Sequence, residues 1–290
     1  MDNKLQRSRK IVLIALACIL AAVISAVGVF YAASTLIGYG NSTMFRDDDL
    51  PEAKHDLPKA EEELIAKNMF SADGFYEIGG IRYYYHGGQK GIPGIDVSSY
   101  QQNIDWQEVK QAGVEFAMIR VGYRGWTSGE LALDDHFISH IEGALAADIK
   151  VGVYFFSQAL TVEEAVEEAQ FTLAQIKDYE ISYPVVFDWE EVEAESARTN
   201  DMDMRMLTSC AEAFCRTVSE SGYTGGVYFN QAYGYDQLNL PSISDYTFWL
   251  AEYAPHPSFE YGFQMWQYTN EGSVPGIEGN VDLNIAFETK

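Results

Sequence analysis

Residues 150–190 read KVGVYFFSQALTVEEAVEEAQFTLAQIKDYEISYPVVFDWE and contain a complete strand–helix–strand unit. Residues 150–156 and 184–189 are nearly continuous apolar runs with the length of strands. Between them, residues 162–178 place apolar side chains at three- and four-residue intervals, which is the spacing of an amphipathic helix. Continuous apolar strands joined by a helix indicate a parallel sheet that is covered on both faces.

The same alternation extends on both sides of this unit, from residue 94 to the end of the chain. The strand candidates are residues 94–97, 116–121, 150–156, 184–189, 225–229, 247–251, 263–267 and 281–285. The helical patterns cover residues 106–112, 134–147, 162–178 and 202–221. Eight strands in this order predict an α/β fold, a TIM-like (β/α) barrel. The last strands are joined by connections too short for full helices, so we expect helices to be missing from the second half of the barrel.

The N-terminal third predicts a membrane anchor. Residues 11–33, IVLIALACILAAVISAVGVFYAA, carry no charge and are long enough to cross a bilayer as a helix. Basic residues precede them, so the positive-inside rule places residues 1–10 in the cytoplasm and the rest outside the cell membrane. A cleaved signal peptide is the alternative, although its apolar core is usually shorter.

Four segments follow from this pattern. Residues 1–10 form a basic tail, residues 11–33 a single-pass transmembrane anchor, and residues 34–70 a polar, charge-mixed stalk or linker. Residues 71–92 carry two short aromatic strands around Gly79 and Gly80, which predicts a β-hairpin. We expect this hairpin to pack on the barrel of residues 93–290; a separate wall-binding hairpin is the alternative.

Composition excludes some partners. The net charge of −24, with no basic cluster after the first ten residues, argues against nucleic acid as a partner. His136 and His140 have the i, i+4 spacing of a metal pair, but no further His or Cys supports them elsewhere. We therefore expect neither a metal nor another cofactor.

Carboxylates stand where a barrel of this type places its chemistry, at the C-terminal ends of strands. Asp96 ends the first strand in GIDVSSYQ, and Asp188 and Glu190 end the fourth in YPVVFDWE. Residues two apart in a strand point to the same face, so Asp188 and Glu190 should both enter the barrel mouth. Asp282, in GNVDLN, belongs to the last strand, which barrel closure brings beside the first.

Paired carboxylates at a barrel mouth suit glycosidic cleavage. This reaction needs a protonated carboxyl for the leaving oxygen and an anion near the anomeric carbon. Burial and like-charge repulsion raise the pKa of at least one member of such a cluster. We assign the proton donor to Glu190, which has the longer reach, and a stabilising or orienting role to Asp188. A salt-bridge or N-cap role for single members of the cluster is the alternative.

Separated segments of the chain resemble glycoside hydrolase family 25, the Chalaropsis-type lysozymes, over about residues 93–287. They are PGIDVSSYQQNIDW, FAMIRVGYR, KVGVYFFSQA, YPVVFDWE, FWLAEY, FQMWQYT and VPGIEGNVDLN. The resemblance implies N-acetylmuramidase activity on peptidoglycan, with Glu190 as proton donor and Asp188, Asp96 and Asp282 as the other active-site acids. It also implies that Tyr154, Tyr228 and Trp266 line the glycan cleft. A substrate-assisted, a covalent and an inverting route all stay open.

Three other functions fit the sequence less well. A chitinase-like enzyme or endo-N-acetylglucosaminidase usually has a further Asp two positions before the pair, where this chain has Val186. A non-catalytic peptidoglycan-binding barrel would not need the intact set of acids. A metal-dependent deacetylase is disfavoured because none of the five histidines stands in a paired motif with an acid. The tether favours a role in remodelling the cell's own wall.

Overall fold

The computed structural model describes residues 65–288. Within them, eleven strands form one sheet: β1 (Phe75–Ile78), β2 (Ile81–His86), β3 (Gln89–Val97), β4 (Phe116–Arg124), β5 (Leu131–Leu133), β6 (Lys150–Ser157), β7 (Val185–Trp189), β8 (Gly225–Asn230), β9 (Thr247–Ala251), β10 (Met265–Gly272) and β11 (Val281–Phe287). Eight of them close into a barrel in the order β3-β4-β6-β7-β8-β9-β10-β11, with β11 pairing back to β3. The predicted α/β barrel is therefore confirmed.

One barrel strand differs in direction from the prediction. Neighbouring strands from β3 to β10 are parallel, but β11 is antiparallel to both β10 and β3. The reason is the short connection of residues 273–280, because a parallel return requires a longer crossover, usually a helix. Consequently β11 begins at the mouth of the barrel, where the parallel strands end.

Helices cover the first half of the barrel. They are α1 (Trp106–Gln111), α2 (Phe137–Ala146), α3 (Val162–Ile176), α4 (Met204–Glu220) and the short α5 (Gln231–Asp236). Within the described residues, β8 and β9 are joined only by the short α5 and a 3-10 helix (Leu240–Ile243), and no helix lies between β9 and β11. The predicted loss of helices in the second half is confirmed.

Side chains at the helix starts fix where these elements begin. Asp105, Thr161 and Asp203 accept hydrogen bonds from backbone N–H groups in the first turns of α1, α3 and α4. Each such cap stabilises its helix by about 1 kcal/mol. Asn230 does the same for α5 directly after β8, so the chain turns at once from the strand end into a helix.

The N-terminal hairpin covers the barrel where helices are missing. Gly79 and Gly80 have positive φ angles of 61° and 85°, which the tight turn between β1 and β2 requires. The Phe75 ring lies 5.2 Å from that of Trp266 on β10, and Arg82 donates a 2.8 Å hydrogen bond to the carbonyl of Ala254. The hairpin packs on the barrel, as expected. However, β3 runs through the predicted boundary at residues 92 and 93, so hairpin and barrel share a strand.

The last residues of the predicted stalk also belong to the barrel. Phe70 stacks on Phe287 of β11 with ring centroids 3.7 Å apart. Asn68 donates to the carbonyl of Phe259, and Ile65 is buried in the core. The prediction of a stalk over residues 34–70 is thus wrong for residues 65–70, because Ile65 is buried in the core and Phe70 packs on β11.

The predicted tail, the anchor at residues 11–33 and the rest of the stalk lie outside the described residues. Among the residues that are described, no helix has the length and apolar character needed to cross a membrane.

Candidate active site

Asp188 and Glu190 lie together at the C-terminal end of β7. Asp188 is the penultimate residue of the strand and only 4% exposed, and Glu190 is the first residue after it. The charge of Glu190 is among the causes that raise the pKa of Asp188, so the two carboxyls are close neighbours. The structure brings together the pair that strand periodicity predicts.

Asp96 and Asp282 form a second pair beside the first. They are Cα partners in the antiparallel register of β3 and β11, and their side chains share a hydrogen bond. Burial raises the pKa of Asp282 most, and the charges of Asp96, Glu190 and Asp188 raise it further. All four acids that the sequence singles out therefore belong to one cluster at the mouth.

The carboxyls of the cluster have raised pKa values. Burial is the largest cause of the raised pKa of Glu190, which reaches about 7, and the charge of Asp96 adds to it. Burial also raises the pKa of Asp188 well above its usual range, followed by repulsion from Glu190 and Asp96. A carboxyl that stays protonated near pH 7 beside ionised carboxylates can act as a general acid.

Arg120 of β4 is a site residue that the sequence analysis missed. Its Nε donates a 2.8 Å hydrogen bond to Asp134, and its guanidinium lies 5.3 Å from the ring of Tyr100 and 5.8 Å from that of Tyr123. Its charge lowers the pKa values of Asp188 and Glu190 against the effect of burial. The available signal was its position two residues after Met118, on the inward face of the same strand.

Two amides that sequence reasoning also missed bind Asp96. Gln267 of β10 donates from Nε2 to Asp96 Oδ2 at 2.9 Å, and Asn284 of β11 donates from Nδ2 to the same oxygen at 2.7 Å. Both amides are buried inside the barrel. Asn284 lies two residues after Asp282, and strand periodicity alone would have placed it on the same face.

Gln158, at the end of β6, holds the main chain of Glu190. Its Nε2 donates to the carbonyl of Glu190 at 2.8 Å, and its Oε1 accepts from the hydroxyl of Thr199 at 2.8 Å. Gln158 is fully buried, so this contact fixes where the chain leaves β7. It thereby helps to set the direction of the Glu190 side chain.

The three predicted aromatic residues divide between the two sides of the barrel wall. Tyr154 and Tyr228 lie in the inner cluster with Trp249, and the acids of the site raise the pKa of both hydroxyls after burial does. Trp266 belongs to the outer cluster and is fully buried. Its predicted place in the glycan cleft is wrong, because Met265 points inward and the alternation of β10 turns Trp266 outward, beneath Phe75.

The histidine pair has a structural place. His140 is buried on α2, where its Nε2 lies 2.7 Å from the carbonyl oxygen of Gln102, and His136 is the residue before that helix. Within residues 65–288, no group of three or more His, Cys, Asp or Glu side chains is arranged to hold a metal ion.

Comparison with known proteins places this site in a family. The sequence profile of glycosyl hydrolases family 25 matches residues 95–277, which include Asp96, Asp188 and Glu190. The chain is 27% identical over 194 residues to the autolytic lysozyme of Clostridium acetobutylicum, covering 67% of this chain and 55% of that protein. It is also 27% identical over 207 residues to lysozyme M1 of Streptomyces globisporus, covering 67% of each chain.

A solved structure shares the fold. The family 25 glycosyl hydrolase from Bacillus anthracis superimposes with a TM-score of 0.57 at 23% identity, over 74% of this chain and 96% of that one. The chain thus spans nearly all of that structure but only about half of the clostridial lysozyme. Because the family profile covers more than half of the sequence, the chain belongs to glycosyl hydrolase family 25 and is a glycoside hydrolase.

Proposed function

We propose that this protein is a membrane-anchored lysozyme that hydrolyses the β-1,4 bond between N-acetylmuramic acid and N-acetylglucosamine in peptidoglycan. The observation that carries the proposal is the Asp188–Glu190 pair at the barrel mouth, with the pKa of Glu190 raised to about 7. The names of two relatives, an autolytic lysozyme and lysozyme M1, support peptidoglycan as the substrate.

Glu190 is the proton donor to the leaving glycosidic oxygen in this proposal. Gln158 fixes its main chain, and burial raises the pKa of its carboxyl to about 7, so that a large fraction carries a proton at neutral pH. After donation the resulting carboxylate lies near Arg120, whose charge stabilises it. General acid catalysis of this kind contributes about 10²–10⁴-fold to a rate.

Asp188 has the orienting role. Its Oδ1 is buried and has no hydrogen-bond partner among the described residues. A buried polar atom of this kind costs stability unless a partner satisfies it. The N–H of the substrate's acetamido group is a suitable donor, and holding that group would favour a substrate-assisted route.

The predicted anchor indicates where in the cell the enzyme acts and what its physiological role is. Residues 11–33 hold the enzyme at the outer face of the cell membrane, with residues 1–10 in the cytoplasm. The rest of the chain is strongly acidic and would be repelled by anionic wall polymers, which tethering offsets. A tethered lytic enzyme acts on the wall next to its own membrane, so we assign it to wall remodelling.

Product analysis tests the reaction. The full chain, purified in detergent, is incubated with purified peptidoglycan, and the new reducing ends are reduced with borohydride and identified by mass spectrometry. We expect reduced muramic acid with the wild type and with Glu191→Gln, and none with Glu190→Gln. Glu191 is the adjacent, exposed carboxylate and provides the matched control.

Other products would refute the proposal in distinct ways. Reduced glucosamine ends would identify an endo-N-acetylglucosaminidase. Binding to peptidoglycan without any product would identify a non-catalytic wall-binding barrel. Muramic acid ends that persist with Glu190→Gln would remove the proton-donor role from this residue.

Membrane fractionation tests the anchor. We expect the full chain to stay in the membrane pellet after carbonate extraction and to be degraded from outside by protease on cells with a permeabilised wall. Release into the culture medium with a new N-terminus after residue 33 would show a cleaved signal peptide instead.

A further inference from the structure

Asp96 is held by donors whose direction is fixed by a second layer of side chains. Asp96 Oδ2 accepts from Gln267 Nε2 at 2.9 Å and from Asn284 Nδ2 at 2.7 Å. The same two bonds would be drawn if either amide were rotated by 180° about its last bond. The partners of the opposite amide atoms decide between these orientations.

Trp249 decides the orientation of Asn284. The Trp249 indole Nε1 lies 2.8 Å from Asn284 Oδ1 inside the barrel, and indole nitrogen can only donate. Asn284 must therefore present its carbonyl oxygen to Trp249 and its NH₂ group to Asp96. Rotating the amide would set two N–H donors against each other at the indole and leave buried polar groups unpaired, which is unfavourable.

Two tyrosine hydroxyls satisfy the carbonyl oxygen of Gln267. The hydroxyls of Tyr228 and Tyr253 both donate to Gln267 Oε1 at 2.9 Å. The NH₂ group of Gln267 then faces Asp96, as that of Asn284 does. Asp96 Oδ2 thus meets two N–H donors, and this environment favours its ionised form.

The remaining proton position lies between Asp96 and Asp282. Their side chains hydrogen-bond to each other across the β3–β11 pair, so one of them carries the proton of that bond when the pair holds one. Burial raises the pKa of Asp96, and the N–H donors of Asn284 and Gln267 oppose that rise by stabilising a negative charge on it. Burial disfavours the ionisation of Asp282 most. The carboxyls of Asp96, Glu190 and Asp188 disfavour it further, because Asp282 faces all three.

We propose that Trp249, Asn284 and Gln267 are positioning residues that keep Asp96 ionised at neutral pH and place the proton of the pair on Asp282. The four acids then have different charge states for a structural reason. Asp282 acts as a neutral hydrogen-bond donor to Asp96, and Asp96 is the fixed anion of the site. Through the proposed function, on which this step rests, the Asp96 anion keeps the donor Glu190 protonated.

Other charged and titratable groups face the pair from several strands. Arg120 of β4 and Tyr154 of β6 lie at the same mouth, together with Asp188 and Glu190 of the β7 end. The Tyr154 hydroxyl stays neutral because burial raises its pKa well above the usual range. Arg120 is the cation of this group, and it favours ionisation of the acids it faces without distinguishing Asp96 from Asp282 by a hydrogen bond.

Carboxyl ¹³C NMR tests the proton assignment without any substrate. The full chain in detergent is labelled with [4-¹³C]aspartate, and Asp96→Asn and Asp282→Asn each identify one resonance by its disappearance. At pH 7 we expect the Asp282 resonance at the position of a protonated acid and the Asp96 resonance at that of a carboxylate. The reverse positions, or two resonances averaged to one intermediate position, would overturn the proposal.

A second variant covers the case in which an active-site Asp variant fails to fold. Trp249→Phe removes the indole donor, so Asn284 can rotate and Asp96 loses part of the support for its charge. We expect the titration of the Asp96 resonance to move to higher pH by about one unit in this variant, the scale of a lost hydrogen bond to a carboxylate. An unchanged titration in a folded Trp249→Phe protein would refute the role of the indole.

The pH dependence of peptidoglycan cleavage links the assignment to catalysis. We expect Asp282→Asn to keep the alkaline limb of kcat/KM in place, because an Asn side chain can donate to Asp96 as the protonated acid does. Asp96→Asn should move that limb down by about one pH unit, the effect of losing one close negative charge beside Glu190. An equal shift in both variants would contradict the assignment. If neither the wild type nor any variant cleaves peptidoglycan, the proposed function fails while the NMR result still decides the proton position.

Discussion

Replacing Glu190 with Gln should abolish activity and at the same time stabilise the fold at alkaline pH. The physical reason is the raised pKa of Glu190, about 7 in the folded protein against an ordinary value of 4.5. Between these two values the folded state keeps its proton and the unfolded state loses it. Stability therefore falls as pH rises through this window and stays low above pH 7. Gln cannot ionise, so the variant does not carry this cost.

The size of the effect follows from the shift. At about 1.4 kcal/mol per pKa unit, moving from 4.5 to about 7 corresponds to about 3 kcal/mol. The Glu190 residue is only half-buried, so solvent at the barrel mouth reduces this free-energy difference. We therefore expect about 1–3 kcal/mol. For a domain of this size that is an increase in Tm of about 3–10 °C.

Thermal unfolding at pH 5 and pH 8, followed by circular dichroism, measures this difference in stability. We expect the Tm of Glu190→Gln to exceed that of the wild type at pH 8 and to lie within about 2 °C of it at pH 5, below most of the titration. Glu191→Gln is the matched control, and an exposed substitution should change stability by no more than about 0.5 kcal/mol at either pH. A Tm difference that is equal at both pH values, or a less stable variant at pH 8, would refute the reasoning.

Three further predictions follow from the same site and its supports. For the wild type, kcat/KM should fall about tenfold for each pH unit above 7, because only protonated Glu190 donates a proton. A kcat/KM that does not change between pH 6 and pH 9 would contradict this. In Arg120→Gln, the alkaline limb of kcat/KM should move up by about one pH unit, because the charge of Arg120 lowers the pKa of Glu190 and its removal lets that pKa rise. Arg120→Lys is the control, and an unmoved limb would exclude the effect. Trp266→Ala should lower the free energy of unfolding by about 3–5 kcal/mol without changing KM at low temperature, whereas a raised KM in an equally stable protein would place Trp266 in the cleft.

Strand periodicity predicted the centre of the site because its information is local. Asp188 and Glu190 are two residues apart at the end of an apolar strand, so both reach the mouth in any barrel built from that strand. Asp96 ends the first strand for the same reason. The N-terminal anchor rests on equally local information, and it stays a prediction because residues 11–33 lie outside the described part of the chain.

Periodicity could not decide which of two faces points inward. The segment MWQY of β10 alternates between Met265 and Gln267 on one face and Trp266 and Tyr268 on the other, and both faces are buried. Side chains on the inner face pack inside the barrel, and Trp266 on the outer face packs against the hairpin. No local pattern gives the position of the hairpin. An aromatic residue is a good cleft residue and an equally good core residue, and here Trp266 is the latter.

The sequence by itself determined the strand order, the four acids and their approximate place, since each depends on residues adjacent in the chain. Only the tertiary structure decided the antiparallel direction of β11, which sets Asp282 opposite Asp96, and the inward placement of Arg120, Gln267 and Asn284. These contacts join residues up to 188 positions apart. Proton positions depend on such contacts, because burial and neighbouring donors, and not the residue type, set the pKa of each carboxyl.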